Sequence, residues 1–298
     1  MSEIDSIKAR LKNLAIRSKK PYEYIQTHYF IERVLYRISK SRYAGNFILK
    51  GGLLLHVLFD QRARATRDID LLAKNVSNTP EQLKIMMREV CSIQADDCVT
   101  FDLDAMTSEI ITEASEYPGI RIKTVCYLGR SKSTLQFDIG FGDAVIPSPE
   151  IMVYPSLLEM DEIEILAYSK ESIIAEKFHA MVDLAMANSR MKDFYDIAMM
   201  AGENDFDGGT LYAAIRETFH RRGTVMPETP LVFSGIFAQD ADKQIQWKAF
   251  LRRTGLQGLS LSEVLELINC FIQPISYAIQ HNSNWQGSWS HSQKVWRS

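Results

Sequence analysis

Phe47-Ile48-Leu49-Lys50-Gly51-Gly52 and, after a short basic stretch, Arg64-Ala65-Thr66-Arg67-Asp68-Ile69-Asp70-Leu71 are the segments whose reading decides the fold. The first is an apolar run that reads as a strand over 46–49, which the glycines turn into a helix over 53–59. The second reads as a strand over 69–73. Side chains alternate along a strand, so Asp68 and Asp70 point to one face while Ile69 and Leu71 enter the core. Two carboxylates held this close repel unless a cation stands between them. Oxygen ligands of this kind suit Mg²⁺, which takes one or two carboxylates and completes its shell with water and substrate phosphate. A Gly-Gly turn at a helix start lets backbone N–H groups approach a phosphate, where the helix dipole favours negative charge. Either element alone is weak evidence; each beside its own strand, they point together to phosphate chemistry.

A third carboxylate follows in Gln136-Phe137-Asp138-Ile139-Gly140-Phe141. Asp138 stands between apolar neighbours on a strand expected over 134–141, where a lone acid is costly to bury unless paired or metal-bound. Asp68, Asp70 and Asp138 form the candidate metal set. Three carboxylates can serve two cations, one on a triphosphate and one beside an attacking hydroxyl, with Asp138 nearest that hydroxyl. Asp143, in a Gly-Asp turn, is expected to be structural.

Working outward, helices are expected over 3–18, 21–39 and 79–91, and strands over 99–103, 120–128 and 162–167. Pro147, Pro149 and Pro155 punctuate a loop between the last two. From Ser169 onward the pattern turns helical, over 170–187, 192–202, 208–222, 240–253 and 260–280, with an ambiguous apolar stretch at 231–237. That shift places a domain boundary near 165. The expected organisation is a core domain with N-terminal helices over 1–165, a helical domain over 166–281 and a polar tail over 282–298. The tail carries Trp285, Trp289 and Trp296 without helical or strand period. It is expected to fray, with docking through the tryptophans as the alternative.

The chain has 298 residues, is 46% hydrophobic and has a net charge of −3, so it can bury a sizeable core and has no overall basic character. Any nucleic-acid surface must therefore be local. Cys91, Cys98, Cys126 and Cys270 lack zinc or redox spacing and read as reduced, buried thiols. The first residues are charged and lack the apolar core of a signal peptide, and no window is apolar enough to span a membrane. A cytoplasmic protein without membrane contact is expected.

The order Gly-Gly, Asp-x-Asp, then Asp between apolar residues resembles the DNA polymerase β-like nucleotidyltransferase superfamily. It is closer still to the abortive-infection AbiEii/AbiGii nucleotidyltransferase toxins. Phe47 to Gly52 is similar to that family's approach to the site, and Arg64-x-Thr66-x-Asp68-Ile69-Asp70 to its Arg-x-Ser/Thr-x-Asp-Ile-Asp stretch. Glu176-Lys177 and Arg190-x-Lys192-Asp193-Phe194-Tyr195-Asp196 look like its downstream Lys and Arg-Asp-x-x-Asp elements. The resemblance spans residues 25–200. Gly52 replaces a common Ser, which removes a hydroxyl contact to phosphate, and Lys192 replaces a common Arg, which keeps the charge but loses the fork.

The resemblance implies an α+β fold, a polymerase β-like core with a mixed sheet plus a C-terminal helical domain completing the cleft. It implies Asp68, Asp70, Asp138, Lys177 and Asp193 as catalytic residues, and Lys50, Gly51, Gly52, Arg67, Lys177 and Asp196 as nucleotide contacts. Lys177 would reach the transferring phosphoryl group as a compact charge, with Asp193 orienting it. Read without the family, Lys177 is a solvated lysine beside an apolar helix face, and Asp193 and Asp196 make a helix N-terminal charge effect with Arg190 or Lys192.

Arg62, Arg64 and Arg67 are candidates for phosphate contacts, whereas Lys8, Arg10, Lys12, Arg17, Lys19 and Lys20 read as a solvated helix face. Arg121, Lys123, Arg130 and Lys132 decorate the central strands, and His56 and His179 read as packed histidines. The implied activity is Mg²⁺-dependent transfer, or Mn²⁺-dependent in its place, of a nucleotide from NTP to the 3′ acceptor end of tRNA. The implied setting is a toxin–antitoxin system of antiviral, abortive-infection type, with a cognate antitoxin encoded nearby. Alternatives are a protein acceptor, in the manner of AMPylation, or an inactive nucleotide-binding regulator. The Gly-Gly turn argues against a metal-dependent nuclease.

Overall fold

The computed structural model describes residues 2–59, 66–111 and 119–297. The chain packs as two units, one of residues 1–142 and 150–167, the other of 143–149 and 168–298.

The first unit opens with helix α1 (Glu3–Ser18), started by a capping box between Ser2 and Asp5, and helix α2 (Tyr22–Lys40). Its strands and remaining helices follow as β1 (Phe47–Lys50), α3 (Gly51–Phe59), β2 (Asp68–Ala73), α4 (Pro80–Ser92), β3 (Val99–Ile111), β4 (Gly119–Leu128), β5 (Ser131–Phe141), β6 (Glu150–Tyr154) and β7 (Ile163–Ala167). The strands make one mixed sheet in the order β3-β4-β5-β2-β1-β7-β6. β1 is antiparallel to β2 and parallel to β7, and β2 is parallel to β5. Phe47, Ile48 and Leu49 are all buried, as befits a central strand covered on both faces. β4 and β5 instead bury every second residue, Ile120, Ile122, Thr124, Cys126 and Leu128 against Leu135, Phe137 and Ile139, and leave a polar second face.

α2 packs against the sheet and buries most of its length, including Glu32, Arg33 and Arg37. Such charges are tolerated only when paired. Arg37 forks onto both oxygens of Asp97 at 2.6 and 3.0 Å, and Glu32 accepts from Arg33, Ser156 and the Leu157 amide.

Two strands exceed the sequence reading. β3 runs to Ile111 rather than 103, because a register shift between Asp102 and Thr107 hides its alternation. β6 lies in the stretch read as a proline-punctuated loop; the prolines flank it rather than interrupt it, as an edge strand permits.

The second unit carries helices α5 (Lys170–Leu184), α6 (Met191–Glu203), α7 (Gly208–Arg221), α8 (Gly235–Gln239), α9 (Ala241–Thr254) and α10 (Leu261–Gln280). Short strands β8 (Phe206–Asp207), β9 (Ser288–Ser290) and β10 (Val295–Arg297) form a small sheet in the order β10-β9-β8. The tail expected to fray is therefore a docked hairpin. Trp289 is 1% exposed and donates to the Ala201 carbonyl at 2.7 Å, while Trp296 stacks on Phe271 and donates to its carbonyl at 2.9 Å. A three-residue strand is too short for periodicity to register, and its anchoring comes from a few large aromatic groups that average composition conceals. Cys270 is exposed, unlike the buried Cys91 and Cys126, and all four cysteines are free. Among the described residues no helix is long and apolar enough to cross a membrane.

Candidate active site

In the first unit, sheet register gathers the candidate residues into one cross-strand row. Lys50 of β1 faces Asp70 of β2, Asp70 faces Asp138 of β5, Asp138 faces Arg121 of β4, and Arg121 faces Glu109 of β3. Neighbours in register share a face of the sheet, so this row alternates charge, broken only where Asp70 and Asp138 stand side by side. One step along, Asp68 faces Gln136 and Gln136 faces Lys123. Asp68 and Arg67 are exposed, while Lys50, Asp70 and Asp138 are half-buried. Arg62 and Arg64 lie outside the described residues.

The glycine turn is locked to this row. Gly51 starts α3 directly after β1 with φ +69°, a conformation L side chains rarely adopt, and a Cβ there would lie 2.0 Å from Oδ2 of Asp70. The Asp70 carboxylate thus rests against glycine backbone that any side chain would cover. Gly51→Ala is expected to cost roughly 1–3 kcal/mol of stability from strain and displacement. It should also lower transfer activity by moving Asp70, as denaturant unfolding and initial-rate assays on the same preparation would measure.

Asp138 is gripped by Arg121. Nε donates to Oδ1 and Nη2 to Oδ2, both at 2.7 Å, and Gln136 adds a bond to Oδ2 at 3.3 Å. Pairing with Asp138 offsets the desolvation of Arg121 and holds its pKa above the usual arginine value, with Asp68 adding in the same direction. Sequence reading placed Arg121 among strand decoration, although a signal was present. The tight turn at Gly129-Arg130 sets Leu128 opposite Ser131, and counting back along both strands brings Arg121 opposite Asp138. Among the described residues no three His, Cys, Asp or Glu side chains converge as a closed cation cage. Mg²⁺ needs only one or two carboxylates beside water and phosphate, and Asp68 and Asp70 are the residues that could provide them.

His28 of α2, which sequence reading passed over, supports this region. Its Nε2 meets the Thr66 carbonyl at 3.1 Å, two residues before Asp68, and its ring lies 5.3 Å from that of His56 on α3.

In the second unit, Lys177 of α5 is held by two carboxylates of α6, with Nζ at 2.6 Å from Asp193 and 2.8 Å from Asp196. Arg190 Nε takes the other Asp193 oxygen at 2.6 Å. Both aspartate side chains are fully buried and Lys177 nearly so. Burial pushes the Asp193 carboxyl up, but Lys177 and Arg190 together outweigh it and hold it below the usual carboxylate range. The pairing joins Lys177 to Asp193, rather than leaving a solvated lysine and a surface ion pair. Asp143, a residue of this unit, pairs with Arg222 at 2.8 Å, and Arg222 also meets His179.

A family model for the nucleotidyl transferase AbiEii toxin, type IV toxin–antitoxin system, matches residues 33–266. The chain belongs to the AbiEii nucleotidyltransferase toxin family. Its activity is accordingly a nucleotidyl transfer with NTP as substrate, in a system that pairs the toxin with an antitoxin. The chain is also similar to two solved Helicobacter pylori structures. JHP933 shares 15% identity over 87% of this chain and 93% of its own, at a TM-score of 0.46. An H. pylori protein assigned as a nucleotidyltransferase shares 16% identity over 88% of this chain and 99% of its own, also at a TM-score of 0.46. A search of curated proteins gave no match.

Two buried histidines are expected to make this AbiEii-family chain less stable in acid. Burial, then the neighbouring His56, lowers His28 to about 4, and burial, then Arg222, lowers His179 to about 4. Between about 6.5 and 4 the unfolded chain binds protons that the folded chain refuses, so stability falls as pH falls through that window and levels off below it. Across the full window each histidine is expected to lower stability by about 3 kcal/mol. Denaturant unfolding from pH 7 to pH 4 should show a shallower pH dependence for His28→Gln than for the parent.

Proposed function

We propose that this toxin transfers a nucleoside monophosphate from an NTP to the 3′ acceptor end of tRNA, with Mg²⁺ as its cation. The observation carrying this reading is the row Lys50, Asp70, Asp138 with Gly51 pressed against the Asp70 carboxylate. Asp68 and Asp70 would hold the cation, which when bound supplies charge neutralisation of the triphosphate and of the developing negative charge. Lys50 and Arg67 add positive charge beside it, and the Gly51-Gly52 backbone offers N–H donors to phosphate. The attacking 3′ oxygen forms its bond to the α-phosphorus, the bond from that phosphorus to the bridging oxygen breaks, and pyrophosphate leaves. Asp138 takes the hydroxyl proton. Lys177, oriented by Asp193 and Asp196, carries the role that the family likeness implies, stabilising charge on the transferred group.

The tRNA acceptor follows from the resemblance. Lys123 on the open face of β4, Arg130 in the β4–β5 turn and Lys132 at the start of β5 add local basic residues in a chain of near-neutral total charge. The test is to incubate the protein with each of the four α-labelled NTPs, Mg²⁺ and total tRNA, beside tRNA whose 3′ cis-diol has been oxidised by periodate. Label is expected on intact tRNA only. Label on oxidised tRNA would move the acceptor elsewhere on the RNA. Label on a co-expressed protein, with none on tRNA, would favour a protein acceptor.

A further inference from the structure

We propose that Arg121 is a built-in counter-ion that occupies Asp138 until nucleotide arrives, so that cation binding at Asp138 is conditional on the triphosphate. This rests on the reading of Asp68, Asp70 and Asp138 as the carboxylates of the transfer site.

The geometry points to a device rather than a surface ion pair. Both Asp138 oxygens accept from one guanidinium at 2.7 Å, the bidentate arrangement that fixes both groups in place. A divalent cation on those same oxygens would stand within a few ångströms of the guanidinium, a like-charge contact that weakens its binding. Arg121 has little reason to leave unprompted. Its neighbour across the other strand, Glu109, is taken by Lys123 at 2.9 Å. The pair is also placed to open. The Arg121 side chain is 31% exposed and lies on the polar face of the sheet, in the same cross-strand row as Asp70 and Lys50. A triphosphate held at that row presents planar pairs of oxygens, which an arginine fork binds as well as it binds a carboxylate. Transfer of the fork from Asp138 to phosphate frees the carboxylate when the substrate is present. Until then Arg121 neutralises the charge that Asp70 and Asp138 place side by side, which lets two adjacent acids persist in the nucleotide-free protein.

The test counts Mn²⁺ bound to the full chain by the loss of the free-ion electron paramagnetic resonance signal, without nucleotide and with a non-hydrolysable NTP analogue. The parent is expected to bind fewer or weaker ions without nucleotide than with it. Arg121→Gln should bind Mn²⁺ at least about tenfold more tightly at the second site without nucleotide. Arg121→Lys, which keeps charge but loses the fork, should fall between the two. Adding Asp138→Asn to Arg121→Gln should cancel the gain, which a merely structural role for Arg121 would not do. Mn²⁺ binding that is unchanged in Arg121→Gln and Arg121→Lys, or a gain that survives Asp138→Asn, overturns the inference while leaving the transfer site intact. No Mn²⁺ binding by the parent even with the analogue overturns both.

Discussion

Asp70→Asn is expected to lower nucleotidyl transfer by about a thousandfold or more while changing the stability of the folded protein little. The activity loss follows from removing one of two carboxylates proposed to hold the cation, since cation-centred charge stabilisation supplies several kcal/mol of transition-state energy. The stability result follows from register. Asp70 and Asp138 stand directly opposite each other on parallel strands, and like charges in that relation destabilise the sheet. Asparagine keeps the shape that fits against Gly51, and the repulsion it removes is set against the attraction to Lys50 that it also removes. Initial rates with labelled NTP and thermal unfolding of the same sample check the two parts. A protein that loses activity because it unfolds would contradict this placement of Asp70. Asp68 is exposed and lies one step further along, so Asp68→Asn should repeat the activity loss with less effect on stability.

Lys177→Met should damage both activity and stability. The methionine retains an apolar stem of similar length on a helix that buries Ile173, Ile174 and Phe178, so the packing change is small. What is lost is an ammonium group bridging two fully buried carboxylates. Breaking such a pair costs about 3 kcal/mol, less than the extreme because Arg190 still meets Asp193. Activity should fall about a hundredfold or more if Lys177 meets the phosphoryl charge. Adding Asp196→Asn separates the two effects. Neutralising the carboxylate should recover part of the stability in urea unfolding and none of the activity. Recovery of activity with stability would reduce Lys177 to a structural role.

The parts of the site legible in sequence were those whose signals are local. Alternation alone puts Asp68 and Asp70 on one face, because a strand repeats every two residues. The Gly-Gly turn after an apolar run marks the start of α3, although the helix begins at Gly51 itself rather than at Leu53. The three-residue spacing of Asp193 and Asp196 puts them on one helix face, and Lys177 does meet both. Long-range pairings were not legible in the same way. Arg37 finds Asp97 sixty residues away, and nothing local to either residue announces it. Arg121 and Asp138 are an intermediate case, because a tight hairpin carries register from the turn to the pair, but only once the turn is placed at Gly129-Arg130. The tail shows the limit of composition: Ser, Asn and Gln dominate its letters, while Trp289 and Trp296 dominate its buried contacts.

The most direct test of the proposed reaction is chromatographic analysis of the products from α-labelled and γ-labelled NTP incubated with total tRNA, in Mg²⁺ and in excess chelator. The expected result is α-label on tRNA together with γ-label in pyrophosphate, in equal amounts, abolished by chelator and by Asp70→Asn. Release of γ-label as inorganic phosphate without α-label transfer, or transfer that persists in Asp70→Asn, would contradict an aspartate-centred nucleotidyl transfer at the Gly51–Asp70 row.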